Sequence, residues 1–595
     1  MPDPKGEYAA RLEARLQAAA RQERWHVRIG YGKLAALVAG LAIVWLSLAK
    51  ADLTLPWVLV PAGLYAALAI FHEGVLRARR RAERAAALYR RGIGRIEDRW
   101  AGAGSAGVRF RDEKHVYGED LDLFGGGSLF ELLSTARTPM GEACLARWLL
   151  HPSPIPVVRE RQGMLIELRE RLGLREDLAL AGEELRGQLD PEGLAKWAES
   201  GRALPRTVWR WVGAILALAA VVSLVWGIRT SQYGPLLAVL GVEIVFWAGF
   251  KKRSEQVIEG LDSDARGLDL FAVTLARLER ESFSAPRLAR FVEQMKEGAA
   301  TSSTAVRQLA RIAYWIESRH SPALRLFNVP LLIDVQIAYA AERWRGRYGR
   351  RMRGWIDAVG EMEALLSLAG YSYEHPRDPF PTFVEDSPEA VFEGEQLGHP
   401  LIAQDRSVTN TVRLGGATRI LMVSGSNMSG KSTLLRVVGV NALLAMAGAP
   451  IRGNSLRLSP LALGARLRTG DSLQENRSGF YTEVLRIRQV FELAGGEAPL
   501  LFLFDELLEG TNSKDRRIGA DGLLRAFLGR GAIGIVTTHD LALTEIAGAL
   551  GAAISNAHFQ DYVEDGRMRF DYRLQPGVVK RSNALELMRL AGLEV

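Results

Sequence analysis

The chain has 595 residues, too many for one hydrophobic core, so several domains are expected. Its single cysteine, Cys144, excludes an intramolecular disulfide framework and a multi-cysteine metal centre, and predicts no disulfide-linked partner. A net charge of +8 suits contact with phosphates or with an anionic membrane surface, without choosing between them.

Residues 1–30 are polar and charged, with a weak apolar stripe at Leu12, Leu16 and Ala19 or Ala20, which predicts a solvated N-terminal cytoplasmic helix rather than a secretion signal. Leu34 to Ala49 then carries no charge, and after Lys50-Ala51-Asp52 a second apolar run extends from Leu53 to Phe71. A spanning helix needs about 20 apolar residues, roughly 17 at the least. The second run qualifies, and the first reaches that length if Lys33 and Lys50 snorkel. Residues 31–75 therefore predict a transmembrane hairpin.

Residues 76–204 read as a helical core segment that opens with the basic stretch Arg77 to Arg99. Gly125-Gly126-Gly127 follows no apolar strand, so it reads as a structural turn and not as a phosphate loop. Thr138-Pro139 opens a helix that ends near His151-Pro152. A second hairpin is predicted over 205–253, from Trp211 to Ile228 and from Tyr233 to Phe250. Glu243 interrupts it. A carboxylate in lipid is costly, so Glu243 should face another helix or carry a proton.

Arg21, Arg24, Arg28 and Lys33 precede the first hairpin, and Arg77, Arg79, Arg80, Arg81 and Arg84 follow it. Arg202, Arg206 and Arg210 precede the second, and Lys251, Lys252 and Arg253 follow. Positive charge stays on the cytoplasmic side, so four spans are expected in the cell membrane, with the N-terminus and the C-terminal domain in the cytoplasm. The competing reading is of helices buried in a large soluble core, which the basic flanks disfavour.

Residues 254–390 are predicted as a helical lever segment and linker. Within it, Glu342 to Trp355 places Arg343, Arg345, Arg347, Arg350, Arg351 and Arg353 among Trp344, Tyr348 and Trp355. Such a stretch fits a nucleic-acid backbone, anionic headgroups or a solvated helix face. Pro376 to Pro388 reads as the linker, with an α/β domain over 391–595.

In that domain Ile420 to Val423 predicts a strand and Leu434 to Met446 a helix. Between them, Gly425-Ser426-Asn427-Met428-Ser429-Gly430-Lys431-Ser432-Thr433 matches the phosphate-binding pattern G-x-x-x-x-G-K-[ST]. Its glycines let successive N–H groups face phosphate oxygens. Lys431 would reach the β- and γ-phosphates, and Ser432 would offer its hydroxyl to Mg²⁺. Leu500 to Phe504 predicts a strand buried on both faces that ends in Asp505-Glu506. Asp505 suits the Mg²⁺ shell and Glu506 a general base on water. A further strand, Ala532 to Val536, ends in Thr537-Thr538-His539, where His539 is a candidate sensor of the γ-phosphate. Ser478 has cap chemistry before a helix, Ala553 to Gln560 and Arg567 to Leu574 predict a hairpin about Glu564-Asp565-Gly566, and a last helix is predicted near Ala584 to Leu590.

With these residues in view the chain resembles the MutS family of DNA mismatch repair ATPases, most specifically over Gly398 to Leu593. The loop 425–433 with its Asn-Met pair, Asp505-Glu506 with Gly510-Thr511-Asn512-Ser513 and Asp515, and Thr537-Thr538-His539 resemble that family's nucleotide motifs. Ser478 to Glu483 is similar to its signature segment, which crosses the dimer. More weakly, Gly127 to Pro152, Arg159 to Gln162 and Glu361 to Ala369 look like its core and lever regions.

The resemblance implies an ABC-type P-loop NTPase domain behind an all-α core and lever region, ATP and Mg²⁺ as cofactors, and a homodimer through the ATPase domains. Ser478 of one chain would complete the site around Lys431 of the other. It also makes DNA a candidate partner. The expected form lacks a mismatch-reading domain before Arg77 and carries no Phe-x-Glu wedge. Asn410 marks the adenine segment, but the aromatic that the family places three residues earlier is Ser407 here. Two other classes compete: an ATP-switched membrane scaffold that does not bind DNA, and an ABC transporter, whose Leu-Ser-Gly-Gly-Gln signature is missing.

Overall fold

The computed structural model describes residues 3–49, 55–261, 265–298, 300–319, 321–322, 328, 330–385, 389–426, 428–467, 479–564 and 567–579. Asn427, Ser478, the 565–566 turn and the expected helix near 584–590 lie outside these residues. The chain divides into two units, one of residues 1–103 with 373–376 and one of 104–372 with 377–595.

In the first unit, helix α1 (Pro4–Leu48) pairs with α2 (Leu59–Ile96). Asp3 caps α1 through the Lys5 amide, and Pro4 occupies its first turn, where a missing N–H costs nothing. The expected divisions at residues 30 and 75 fall inside these helices. Composition turns from polar to apolar there, but helix propagation needs only the next backbone hydrogen bond, so the backbone continues unbroken. At the far end of the pair, the Tyr8 ring lies 5.7 Å from Tyr89 and 5.6 Å from Tyr373. Glu374 receives two hydrogen bonds from Arg95, at 2.6 and 2.7 Å.

The second unit holds helices α3 (Pro139–Leu150) and α4 (Ile155–Leu168), the pair α5 (Val208–Thr230) and α6 (Gly234–Glu259), and the 42-residue α7 (Ile333–Glu374) up to residue 372. Thr138 caps α3 and Pro139 starts it, as the sequence predicts. The triple glycine forms a turn, with Gly125 and Gly127 at positive φ. On α5 the buried positions are Gly213, Ala220 and Gly227, seven residues apart; a Cβ on Gly213 would lie 3.3 Å from Gln336 and 3.4 Å from Phe246 of α6, and one on Gly227 2.8 Å from the Tyr233 ring just before α6, so small residues are required where the chain packs closely there. Glu243 on α6 is fully buried, and neither carboxylate oxygen has a hydrogen-bond partner.

Four helices, Pro4–Leu48, Pro56–Ile96, Val208–Thr230 and Gly234–Glu259, are long and apolar enough to cross a membrane by length and composition. Their most apolar windows are only 11, 11, 17 and 6% buried, so they are not folded away inside a core.

The nucleotide-domain part of this unit carries two sheets. One has four strands in the order β1-β5-β2-β3: β1 (Thr382–Phe383), β5 (Ser455–Leu458), β2 (Phe392–Leu397) and β3 (Asn410–Leu414). The proline-rich stretch read as a linker is thus partly structural. β1 pairs parallel with β5, and the Val384 N–H donates to Leu458 O at 2.9 Å. Prolines spare strand edges, and here they flank a short edge strand.

The second sheet has six strands in the order β10-β9-β4-β8-β7-β6. Its parallel strands are β9 (Ile554–Glu564), β4 (Ile420–Ser424), β8 (Ile533–Thr538), β7 (Leu500–Phe504) and β6 (Ala462–Arg466), and β10 (Arg567–Pro576) adds antiparallel at the edge. β4, β7 and β8 are buried along their whole length, which is why they read as unbroken apolar runs. Helix α8 (Lys431–Ala447) follows β4, α9 (Gly479–Leu493) precedes β7, and α10 (Ser513–Gly529) follows it.

Candidate nucleotide site

Parallel pairing puts the C-terminal ends of β4, β8 and β7 side by side, where α/β sheets bind ligands. Ser424 pairs with Thr538 and Phe504 with Val536, so the residues after each strand meet at one edge. The loop after β4 turns through Gly425 at φ 154°, Met428 at φ 74° and Gly430 at φ 102°. A Cβ on Gly430 would come within 3.1 Å of the Tyr572 ring, so glycine is needed there for space as well as for conformation.

Lys431 opens α8 and is 5% exposed. Its ammonium donates to the carbonyls of Gly425 at 2.8 Å and Ser426 at 3.0 Å, and lies 3.9 Å from Glu506. Burial pushes its pKa down, against the pull of Glu506 and Asp505. The buried hydroxyls of Ser426 and Ser429 have no hydrogen-bond partner, as expected of a loop built for an anion.

Asp505 accepts a short hydrogen bond from the Thr537 hydroxyl, whose oxygen in turn accepts the Glu506 N–H at 3.0 Å. This ties the ends of β7 and β8 together. Glu506 sits at φ 51° and Leu508 at φ 56°, strained for non-glycine residues. The turn is held by Arg466, which donates to Asp505 O at 3.1 Å, and by Glu483, which accepts the Leu508 N–H at 2.8 Å. Arg516 donates to Leu508 O and Glu509 O, and Asn512 caps α10, so the 508–515 segment is pinned. Burial raises the Glu506 pKa, and the neighbouring Glu509 adds to it. His539 Nδ1 lies 3.5 Å from Glu506. Ligand atoms of Glu506, Glu509 and His539 lie within 4.8 Å of one another.

A cavity of about 500 Å³ is lined by Lys431, Ser432, Thr433, Asp505, Glu506 and Tyr572 among others. Next to it, and sharing Gly430, Thr433 and Tyr572, lies one of about 320 Å³ lined by His399, Ser407, Asn410 and Phe559. The first has the donor set for a triphosphate and its Mg²⁺, namely a lysine, loop hydroxyls, Ser432 and Asp505. The second has the size and rings for a base.

Of the site residues expected from the sequence, Ser426, Met428, Gly430, Lys431, Ser432, Thr433, Asp505, Glu506 and Asn410 line the adjoining cavities, whereas Gly425 and Ser429 belong to the loop without lining either. Asn427 and Ser478 lie outside the described residues, and His539 touches the site through Glu506. Asn410 lines the base cavity, but its amide is engaged by β10: it donates to Tyr572 O at 2.9 Å and accepts the Leu574 N–H at 2.8 Å. Three residues were not singled out from the sequence. Tyr572, at φ 53° in a β-bulge, presents an aromatic ring where Ser407 offers none. His399 Nδ1 accepts the Leu401 N–H at 3.2 Å, which leaves the proton on Nε2, a buried atom without a partner. Glu509 joins the acidic pair. No local motif marks Tyr572, because a chain separation of 162 residues divides it from Asn410.

Residues 421–595 match the family model described as MutS domain V. Relatives include "DNA mismatch repair protein MutS" of Streptococcus pneumoniae serotype 19F (strain G54) and "DNA mismatch repair protein HexA" of Streptococcus pneumoniae serotype 4 (strain ATCC BAA-334 / TIGR4). Each is 23% identical over 509 residues, which cover 78% of this chain and 59% of the relative. The chain therefore spans well under two thirds of those relatives' length. The strand-end chemistry and the sequence match concern the same segment, residues 421–595, which is similar to MutS domain V.

Proposed function

We propose that the chain is a membrane-anchored ATPase that binds ATP and Mg²⁺ at the site after β4, β7 and β8. The observation that carries this reading is the meeting of Lys431, Asp505, Glu506 and Ser432 around one cavity that adjoins a base-sized one. Lys431 and the loop N–H groups would hold the phosphates, and Ser432 and Asp505 would hold Mg²⁺, which would supply positive charge against the phosphates. Glu506, its pKa raised by burial, takes a proton from the attacking water, and His539 orients Glu506. Tyr572 stacks on the adenine, and the Nε2–H of neutral His399 donates to a ring nitrogen.

Two chains pair through their ATPase domains, with Ser478 of the partner closing each site, as the family resemblance implies. The four apolar helices cross the cell membrane as two hairpins. Their exposed apolar windows support this, and their basic flanks favour a cytoplasmic N-terminus and ATPase domain. The named relatives are DNA mismatch repair proteins, so we take DNA as the partner on which the cycle acts. The second reading, an ATP-switched membrane scaffold without DNA, is favoured by the same exposed helices.

The test is ATP turnover by the purified full chain. Glu506→Gln should keep ATP bound while turnover falls about a hundredfold or more, the scale of general-base catalysis. Unchanged turnover would remove the base assignment, and no nucleotide binding by the wild type would remove the whole reading.

A further inference from the structure

A second cavity, of about 810 Å³, lies at the root of the α5–α6 pair. It is lined from the start of α5 by Arg210 and Trp211, and along one face of α7 by Tyr339, Arg343, Gly346 and Arg350. Positions 343, 346 and 350 recur at helical spacing, so their side chains share that face.

The charges around it are unbalanced. Its two carboxylates are already engaged: Glu342 accepts the Ala203 N–H at 2.9 Å and pairs with Arg345, and Glu199 pairs with Arg353. Arg202 is occupied with Pro205 O at 3.2 Å and Thr207 Oγ1 at 3.3 Å. Among the described residues no carboxylate pairs with Arg210, Arg343 or Arg350. The Tyr339 side chain is 4% exposed, yet its hydroxyl has no hydrogen-bond partner. Arg202 and Arg253 act on that phenol electrostatically, against the carboxylate of Glu342. An orphaned buried hydroxyl beside unpaired guanidinium groups suits an anion with several oxygens. Trp209 and Trp211, both exposed at the start of α5, have the character of residues at a membrane–water boundary.

We propose that this cavity binds a phosphate group, that of an anionic phospholipid headgroup, with Arg343 and Arg350 as charge partners and Tyr339 as hydroxyl donor. The lipid source rests on the membrane reading above; the phosphate chemistry does not. Nucleotide binding at Lys431 is not involved.

The test uses the full chain in detergent, with native mass spectrometry after addition of phosphatidylglycerol or phosphatidylcholine. Phosphatidylglycerol should be retained preferentially, and retention should fall roughly fivefold for each of Arg343→Ala and Arg350→Ala. Gly346→Leu provides a variant with all charges intact. A Cβ there meets no atom within 4 Å, so a side chain has room to start from this position, and the added bulk on a cavity-lining residue should also displace the lipid.

Binding of inorganic phosphate in place of lipid, lost in the same variants, would support the site and assign it a soluble ligand. Equal retention in wild type and all variants overturns the proposal. So does binding of duplex DNA that falls in the arginine variants while lipid and phosphate do not bind. Flotation with neutral phosphatidylcholine vesicles, scored separately, reports on the membrane reading alone.

Discussion

At the cavity proposed for the base, the aromatic ring comes from a distant part of the chain rather than from the expected position. Ser407 cannot stack, but the bulge in β10 turns Tyr572 toward the loop glycine, and Asn410 fixes that bulge with two backbone hydrogen bonds. Tyr572→Ala should weaken ATP binding about tenfold, the order of one base–aromatic stack, as measured by isothermal titration calorimetry. An unchanged affinity would return the adenine to some other contact. His399 supplies a pH signature. Burial pushes its pKa down to about 4, whereas an unfolded histidine titrates near 6.5. Between these values the unfolded chain binds the extra proton, so the stability that neutral His399 allows is complete above pH 6.5 and is lost as pH falls toward 4. The loss is at most roughly 3.5 kcal/mol, taking about 1.4 kcal/mol per pKa unit. Melting of the full chain at pH 7 and pH 5 should differ less in His399→Asn, whose side-chain oxygen still accepts the Leu401 N–H, than in the wild type.

At the scale of elements, the helix pairs are held by size complementarity as much as by apolarity. On the membrane reading, lipid tails are as apolar as leucine, so the joining of α5 to α6 would rest on the close packing permitted by Gly213, Ala220 and Gly227. Ala220→Leu inserts bulk into that seam and should cost about 1–3 kcal/mol, seen as a lower melting temperature in detergent. Leu218→Ala, at a position 64% exposed, should leave the melting temperature nearly unchanged. Equal effects from the two would mean that the seam is elsewhere. The α1–α2 pair makes a related point: its polar and apolar halves share one helix, so a change of composition along an element need not break the backbone.

At the scale of the whole molecule, the DNA-binding and scaffold readings separate by salt. Phosphate-dominated DNA binding should weaken at least tenfold between 50 and 200 mM salt, since each neutralised phosphate contributes a slope of about −0.9 in log–log form. Fluorescence anisotropy with duplex DNA and a non-hydrolysable ATP analogue measures it, and no salt-sensitive binding in any nucleotide state leaves the scaffold reading.

What the sequence determined by itself is the local chemistry: the loop from Gly425 to Thr433, the carboxylates closing a strand at Asp505-Glu506, His539 after the next strand, the Thr138-Pro139 helix start and the four apolar helices. Each is written in consecutive residues, where backbone propensity and hydrogen bonding act over a turn or a strand. Only the tertiary structure decided which distant groups meet. Strand pairing brought Thr537 to Asp505, drew Thr382–Phe383 out of a supposed linker into a sheet, and set Tyr572 and His399 at the base cavity. Among the described residues it also left Arg343 and Arg350 without carboxylates while giving Arg353 to Glu199. Contacts across a hundred or more residues depend on how whole faces pack, and no local pattern encodes them.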